Sequence, residues 1–145
     1  MRTIKTTLLI VILPIFSWAD QSVNASSFIS GINKLVKMDH AVYLGQSAGR
    51  ACKVDVLTGA NQVTFLGEIE GRLTAYVNVT NKSQTDRSNF GDKLVIGNFS
   101  RFDKITQKQF ADAVVISKEQ NDIKMIRLQM NESGTEQQVT CWLND

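Results

Sequence analysis

The chain has 145 residues, of which 43% are hydrophobic, and its 16 lysines and arginines nearly balance 14 acidic residues for a formal net charge of +2. This length suits one domain. The balanced charge, without a basic cluster, argues against a nucleic-acid-binding or anionic-membrane-binding surface.

Residues 1–19 have the three parts of a secretory signal peptide. Arg2 and Lys5 form a positive start, an apolar run follows, and small side chains precede a predicted cleavage after Ala19. The apolar run contains Pro14 and is shorter than the roughly 20 residues of a bilayer-spanning helix. The sequence therefore predicts export to the periplasm or the cell exterior, with no stable membrane anchor after cleavage. Removal of two basic residues leaves a predicted mature charge of 14 − 14 = 0.

The mature chain is predicted to begin with a loose segment, residues 20–27, followed by a single β domain, residues 28–145. Apolar residues recur at helical spacing in residues 28–37, which predicts one short N-terminal helix. Ser26 or Ser27 is the predicted N-cap of this helix.

Eight later segments have the composition and alternation of β-strands, mostly at hairpin spacing. They are residues 41–46, 50–58, 62–70, 72–80, 93–102, 110–118, 123–130 and 137–144. The polar stretch 81–92 is predicted as the longest loop. The large side chains predicted to point inward are Phe65, Leu73, Ile126, Leu128 and Met130.

The two cysteines are predicted to form a disulfide, because export brings them into an oxidising environment. Alternation places Cys52 on the same face as Val54, and Cys141 on the same face as Val139, so both thiols are expected to face the core. Two buried free thiols are the alternative. A reactive thiol would need a nearby base, and the chain has one histidine, His40.

The predicted fold class is all-β and mainly antiparallel, with a meander of about eight strands. Such a meander protects its edges by closing into a small barrel or by folding into a two-sheet sandwich. A link between Cys52 and Cys141 joins an early strand to the last one. We therefore predict a barrel, with the sandwich as the alternative.

One short motif suggests catalysis. Residues 45–49 match G-x-S-x-G, in which Ser47 would be the nucleophile of a hydrolase. The motif requires a strand-to-helix turn, but a predicted strand follows here, and the only histidine precedes the serine. We predict a hairpin turn and assign no catalytic residue; a hydrolase using Ser47 is the alternative of another class.

Metal and carboxylate chemistry have little support in the sequence. No second histidine exists, and residues 86–92 lack the alternating oxygen ligands of an EF-hand loop. Glu68 and Glu70 alternate onto one strand face, an arrangement that suits paired glycosidase carboxylates, but this face is predicted to be solvated. No metal site and no cofactor are predicted.

Binding is the function that the sequence favours. Tyr76 and Trp142 alternate away from the predicted core, and exposed aromatic residues are frequent in protein interfaces. The predicted partner is another protein. A small apolar ligand inside the barrel is an alternative, because eight strands enclose just enough space for one. An envelope component that assembles through a strand edge is a third hypothesis.

Overall fold

The chain forms one short amphipathic helix and one curled antiparallel sheet, whose strands come mostly from segments of alternating apolar and polar residues. The computed structural model describes residues 25–132 and 134–144, so the predicted signal peptide lies outside the described residues. No helix among these residues is long and apolar enough to cross a membrane. The described elements are α1 (Ala25–Val36), β1 (His40–Ser47), β2 (Arg50–Thr58), β3 (Gln62–Ile69), β4 (Arg72–Thr80), β5 (Gln84–Phe90), β6 (Leu94–Asp103), β7 (Lys108–Glu119), β8 (Asp122–Glu132) and β9 (Thr135–Leu143).

Helix α1 buries one apolar face, because Phe28, Ile29, Ile32 and Val36 recur every three or four residues. These side chains join the core cluster on the inner face of the sheet. The helix ends where Lys37 takes a positive φ of 61° and its N–H donates to the Asn33 carbonyl at 3.1 Å. This left-handed residue is a common way of ending a helix.

The helix extends further towards the N-terminus than predicted. Residues 25–27, predicted as the end of the loose segment, are helical, and Ala25 is the first described residue. Ser26 and Ser27 therefore lie within the helix and do not precede it as an N-cap. The rest of the predicted loose segment lies outside the described residues.

The sheet is an open half-barrel. Its strand order is β4-β3-β2-β1-β9-β8-β7-β6-β5, and every pair of neighbours is antiparallel. The sheet curls until β4 packs against β8, while α1 packs against β2, β3, β4 and β5. The all-β antiparallel prediction is confirmed, but eight strands and full closure are corrected: nine strands are described, and no ladder joins the edge strands β4 and β5 within them.

The ninth strand is β5, which lies in the stretch predicted as a loop. It pairs with β6, and the register shifts between Thr85 and Arg87, where Asp86 is an extra residue. Apart from Phe90 its residues are polar, although Ser88 is buried. Polar side chains and a bulge are common protections of an edge strand against pairing with other chains.

The first and last strands meet in the middle of the sheet. The β1–β9 ladder contains two pairs, Gly45 with Leu143 and Gln46 with Trp142. A Cβ atom added to Gly45 would lie 2.0 Å from the Trp142 carbonyl oxygen, so β9 approaches β1 at a distance that only glycine allows. The predicted disulfide is confirmed beside this joint, with the Cα atoms of Cys52 and Cys141 5.8 Å apart.

Four of the five large side chains predicted to point inward are buried, and Leu73 is the exception. The register of β3 with β4 shifts after Gly67, which pairs with Ala75, so that Glu68 pairs with Leu73. Thr74 is the extra residue of this bulge, and it turns Leu73 to the outer face, where the side chain is 57% exposed. The four buried ones are Phe65, Ile126, Leu128 and Met130.

Candidate functional site

The G-x-S-x-G segment forms the hairpin between β1 and β2. Ser47 pairs with Arg50, and the two residues between them, Ala48 and Gly49, both have positive φ, at 49° and 82°. This is the turn geometry that fits the twist of a two-residue hairpin. His40 lies seven residues from Ser47 on the same strand, roughly 23 Å away at about 3.3 Å per residue. The structure does not bring this serine and histidine together.

His40 instead belongs to a charged cluster on the outer face of β1, β2 and β3. Its Nε2 lies 2.9 Å from Oδ1 of the buried Asp55. Lys53 Nζ lies 3.6 Å from Asp55 Oδ2 and 3.4 Å from Glu68 Oε2, whereas Glu70 pairs with Arg50 on a turn. The two glutamates weighed as a catalytic pair thus contact different basic residues. Among the described residues no group of three His, Cys, Asp or Glu side chains could hold a metal ion.

A second buried carboxylate lies near the other end of the molecule. Asp112 Oδ2 accepts a hydrogen bond from Arg101 Nε at 2.9 Å, and Arg101 also donates to the Asn131 carbonyl oxygen. Burial raises the pKa of Asp112 above the ordinary aspartate value, although the Arg101 charge and hydrogen bond oppose this shift. Because folding raises this pKa, the folded state favours the protonated form of Asp112. The contribution of Asp112 to stability is therefore greatest at a pH below the ordinary carboxyl range, and it falls as the pH rises through the raised pKa.

We expect Arg101→Leu to lower the free energy of unfolding by about 2 kcal/mol at pH 7, because it leaves the buried Asp112 carboxylate without its charged partner. The loss should shrink at pH 4, where protonation of Asp112 removes the buried charge. Urea unfolding at both pH values measures the difference. In the double variant Arg101→Leu with Asp112→Asn, this difference between the losses at pH 7 and pH 4 should disappear. Equal losses for the single variant at both pH values would contradict the prediction.

The outer face also carries a row of apolar side chains, which we call the convex strip: Leu57, Val42, Leu44, Trp142 and Met125. The strip borders the charged cluster, because His40, Asp55 and Lys53 are the direct cross-strand partners of its residues on β1 and β2. Leu57 on β2 is diagonal to Val42 on β1, and Leu44 on β1 is diagonal to Trp142 on β9. Trp142 in turn pairs with Met125 on β8. Met125 is half-buried, whereas the four others are exposed, from 38% for Leu57 to 58% for Trp142. The strip crosses four strands in the middle of the sheet.

Tyr76 does not belong to the convex strip. It lies on the edge strand β4, with β3, β2 and β1 between it and the strand that carries Trp142. Its side chain is exposed on the outer face, and its backbone N–H donates to the sulfur of Met130 at 3.3 Å. The two aromatic residues predicted for binding are therefore both exposed, but they lie on separate parts of the surface.

Two members of the strip, Val42 and Leu44, were not among the predicted binding residues, although the sequence contains a signal for them. In β1 the inward positions Ala41 and Tyr43 alternate with these outward apolar residues, so both faces of the strand are apolar. A strand that is apolar on both faces is typical of burial on both sides. On β1 only the inner face is covered by the core.

Comparison of the chain with protein-family models, with curated proteins and with solved structures found no match.

Proposed function

We propose that this chain is an exported, non-catalytic binding protein that contacts another protein through the convex strip. Export is supported by the sequence of residues 1–19 and by the Cys52–Cys141 disulfide, which suits a non-reducing compartment. A binding function is supported by the separation of Ser47 from His40 and by the pairing of each candidate glutamate with a basic residue.

The observation that carries the proposal is the row of apolar side chains on four neighbouring strands, bordered by the charged cluster. Single exposed apolar residues are common and need no explanation, but adjacent ones on a solvated sheet face are typical of interaction sites. Trp142 and Met125 pair directly, and tryptophan and methionine are both enriched in protein interfaces. Backbone strand pairing holds the strip on four neighbouring strands, so a partner would meet a preformed surface.

The interior offers less support for a small apolar ligand inside the half-barrel. Gly67 on β3 faces Leu128 and Val139, and an added Cβ atom would lie 3.0 Å from the Leu128 side chain. The two walls of the half-barrel are thus in contact at this point. Elsewhere the ring of Phe28 from α1 packs edge-on against Phe90 and Phe99, with centroids 6.0 and 5.1 Å away. The helix fills space that a ligand would need, which favours the protein partner.

The strip is tested by affinity capture of partners from the envelope and secreted fractions of the cells that produce the protein. We expect a partner to be retained by the wild type and lost from the double variant Leu44→Ser with Trp142→Ser. Both side chains are more than half exposed, so the free energy of unfolding of the variant should stay within about 0.5 kcal/mol of the wild-type value.

A matched control changes two exposed apolar residues elsewhere on the outer face, Leu73→Ser with Tyr76→Ser. This variant should retain the same partner as the wild type. Loss of the partner from the Leu73/Tyr76 variant alone would indicate that the partner binds at the β4 edge and not at the convex strip. Retention by both variants would contradict a binding role for the outer face.

A further inference from the structure

A groove lies between the exposed side of α1 and the turn that joins β7 to β8. Its volume is about 680 Å³, within the roughly 300–1,000 Å³ that small-molecule sites occupy. The groove is on the helix side of the molecule, away from the convex strip. Its lining residues are Ser26, Ser27, Ser30, Gly31, Lys34, Leu35, Phe90, Lys118 and Asn121.

The polar part of this groove is cationic. It contains two lysines and no acidic residue, although the predicted mature chain has no net charge. Lys34 forms no ion pair within the described part of the chain. Lys118 on the opposite wall donates to the carbonyl oxygens of Asp92 and Gln120, at 2.7 and 3.3 Å. These neutral acceptors fix the position of its ammonium group without cancelling the charge.

The floor of the groove is apolar. Leu35 and the ring of Phe90 are half-buried there and pack against the core. Gly31 lets the ring approach the helix, because a Cβ atom at this position would lie 2.6 Å from it. Apolar floor and cationic walls are thus held by three different elements: α1, β5 and β7.

We propose that this groove binds a small amphiphilic carboxylate. The carboxylate group would lie between the ammonium groups of Lys34 and Lys118, and the apolar part would cover Leu35 and Phe90. The hydroxyls of Ser26 and Ser30 on the helix wall supply further hydrogen-bond donors for the acid. This binding site does not depend on the convex strip, so either proposal can fail without the other.

The test is a titration of the ¹⁵N-labelled mature protein with sodium octanoate, followed by amide chemical shifts. We expect saturable shifts in α1 and in residues 118–121. Lys34→Gln should weaken octanoate binding by about threefold to tenfold, the effect of losing one exposed charged contact. Lys34 is exposed, so this change should leave the fold intact.

Two controls separate the charge from the apolar contact. Lys82→Gln removes a lysine from the turn after β4, outside the groove, and should leave octanoate affinity unchanged. Octan-1-ol, with the same number of carbon atoms and no charge, should bind more weakly than octanoate, and its binding should not change in Lys34→Gln. Equal binding of acid and alcohol, saturable shifts confined to the convex strip, or no saturable shift with octanoate would each overturn the proposal.

Discussion

Removing both cysteines, in the double variant Cys52→Ala with Cys141→Ala, is expected to lower the free energy of unfolding by about 4 kcal/mol. The bridge joins positions 89 residues apart. In the chain-entropy account a cross-link over so long a loop restricts the unfolded chain strongly, which gives about 4 to 5 kcal/mol at 25 °C. Both cysteines are also buried in the core, so the variant loses apolar contacts as well.

Urea unfolding of the oxidised wild type and of the variant measures this effect. The matched control is the wild type unfolded in the presence of a reductant, which keeps both sulfur atoms but lacks the bond. The reduced wild type should lose nearly as much stability as the double variant. If the reduced protein stayed within about 1 kcal/mol of the oxidised one, the bridge would not be the main restraint on the unfolded chain.

Gly45→Ala should have the next largest effect, a loss of about 3 kcal/mol. The new methyl group would lie 2.0 Å from the Trp142 carbonyl oxygen, and this neighbour is backbone that cannot rotate away. Overpacking of this kind usually costs about 1 to 3 kcal/mol, and a rigid neighbour places the cost at the upper end. We expect β9 to move away from β1, which would also separate Cys141 from Cys52.

Gly59→Ala is the matched control, because its new methyl group would lie 3.5 Å from the nearest atom, the Gln62 carbonyl oxygen, in ordinary contact. It should change stability by less than about 0.5 kcal/mol. Titration of free thiols after folding adds a second measurement: the Gly45 variant should contain more unpaired thiol than the wild type. Similar stability for both alanine variants would contradict the close approach at Gly45.

Local alternation was enough to predict most strands. The residues of β3 and β4 alternate clearly, and both strands lie where the pattern indicates. The same pattern failed for Leu73, since one extra residue reverses the facing of every position beyond it, and no local feature of Thr74 marks the bulge. Strand β5 was missed because its sequence is polar: its pairing comes from β6 and its anchor from Phe90 beneath the helix.

The candidate sites depend on long-range pairing, which a single sequence does not reveal. Trp142 was predicted to be exposed because it alternates with Cys141 on β9. Its neighbour Leu44 belongs to the first strand, and only the β1–β9 ladder brings the two together. In the groove, likewise, Lys34 and Lys118 come from elements far apart in the chain, and no spacing rule connects them.

The position of β1 beside β9 also has a consequence for the order of folding. The strands β1–β4 and β5–β9 can each pair with neighbours that follow closely in sequence, and such local pairings form quickly. The joint between these halves requires closure of a loop of nearly a hundred residues, from Gly45 to Leu143. We therefore expect pairing within each half to come first and the union of the halves to be the slow step, although both halves contribute to one shared core. Leu44 and Trp142 lie on opposite sides of this joint, so we expect the convex strip to be among the last surfaces to form.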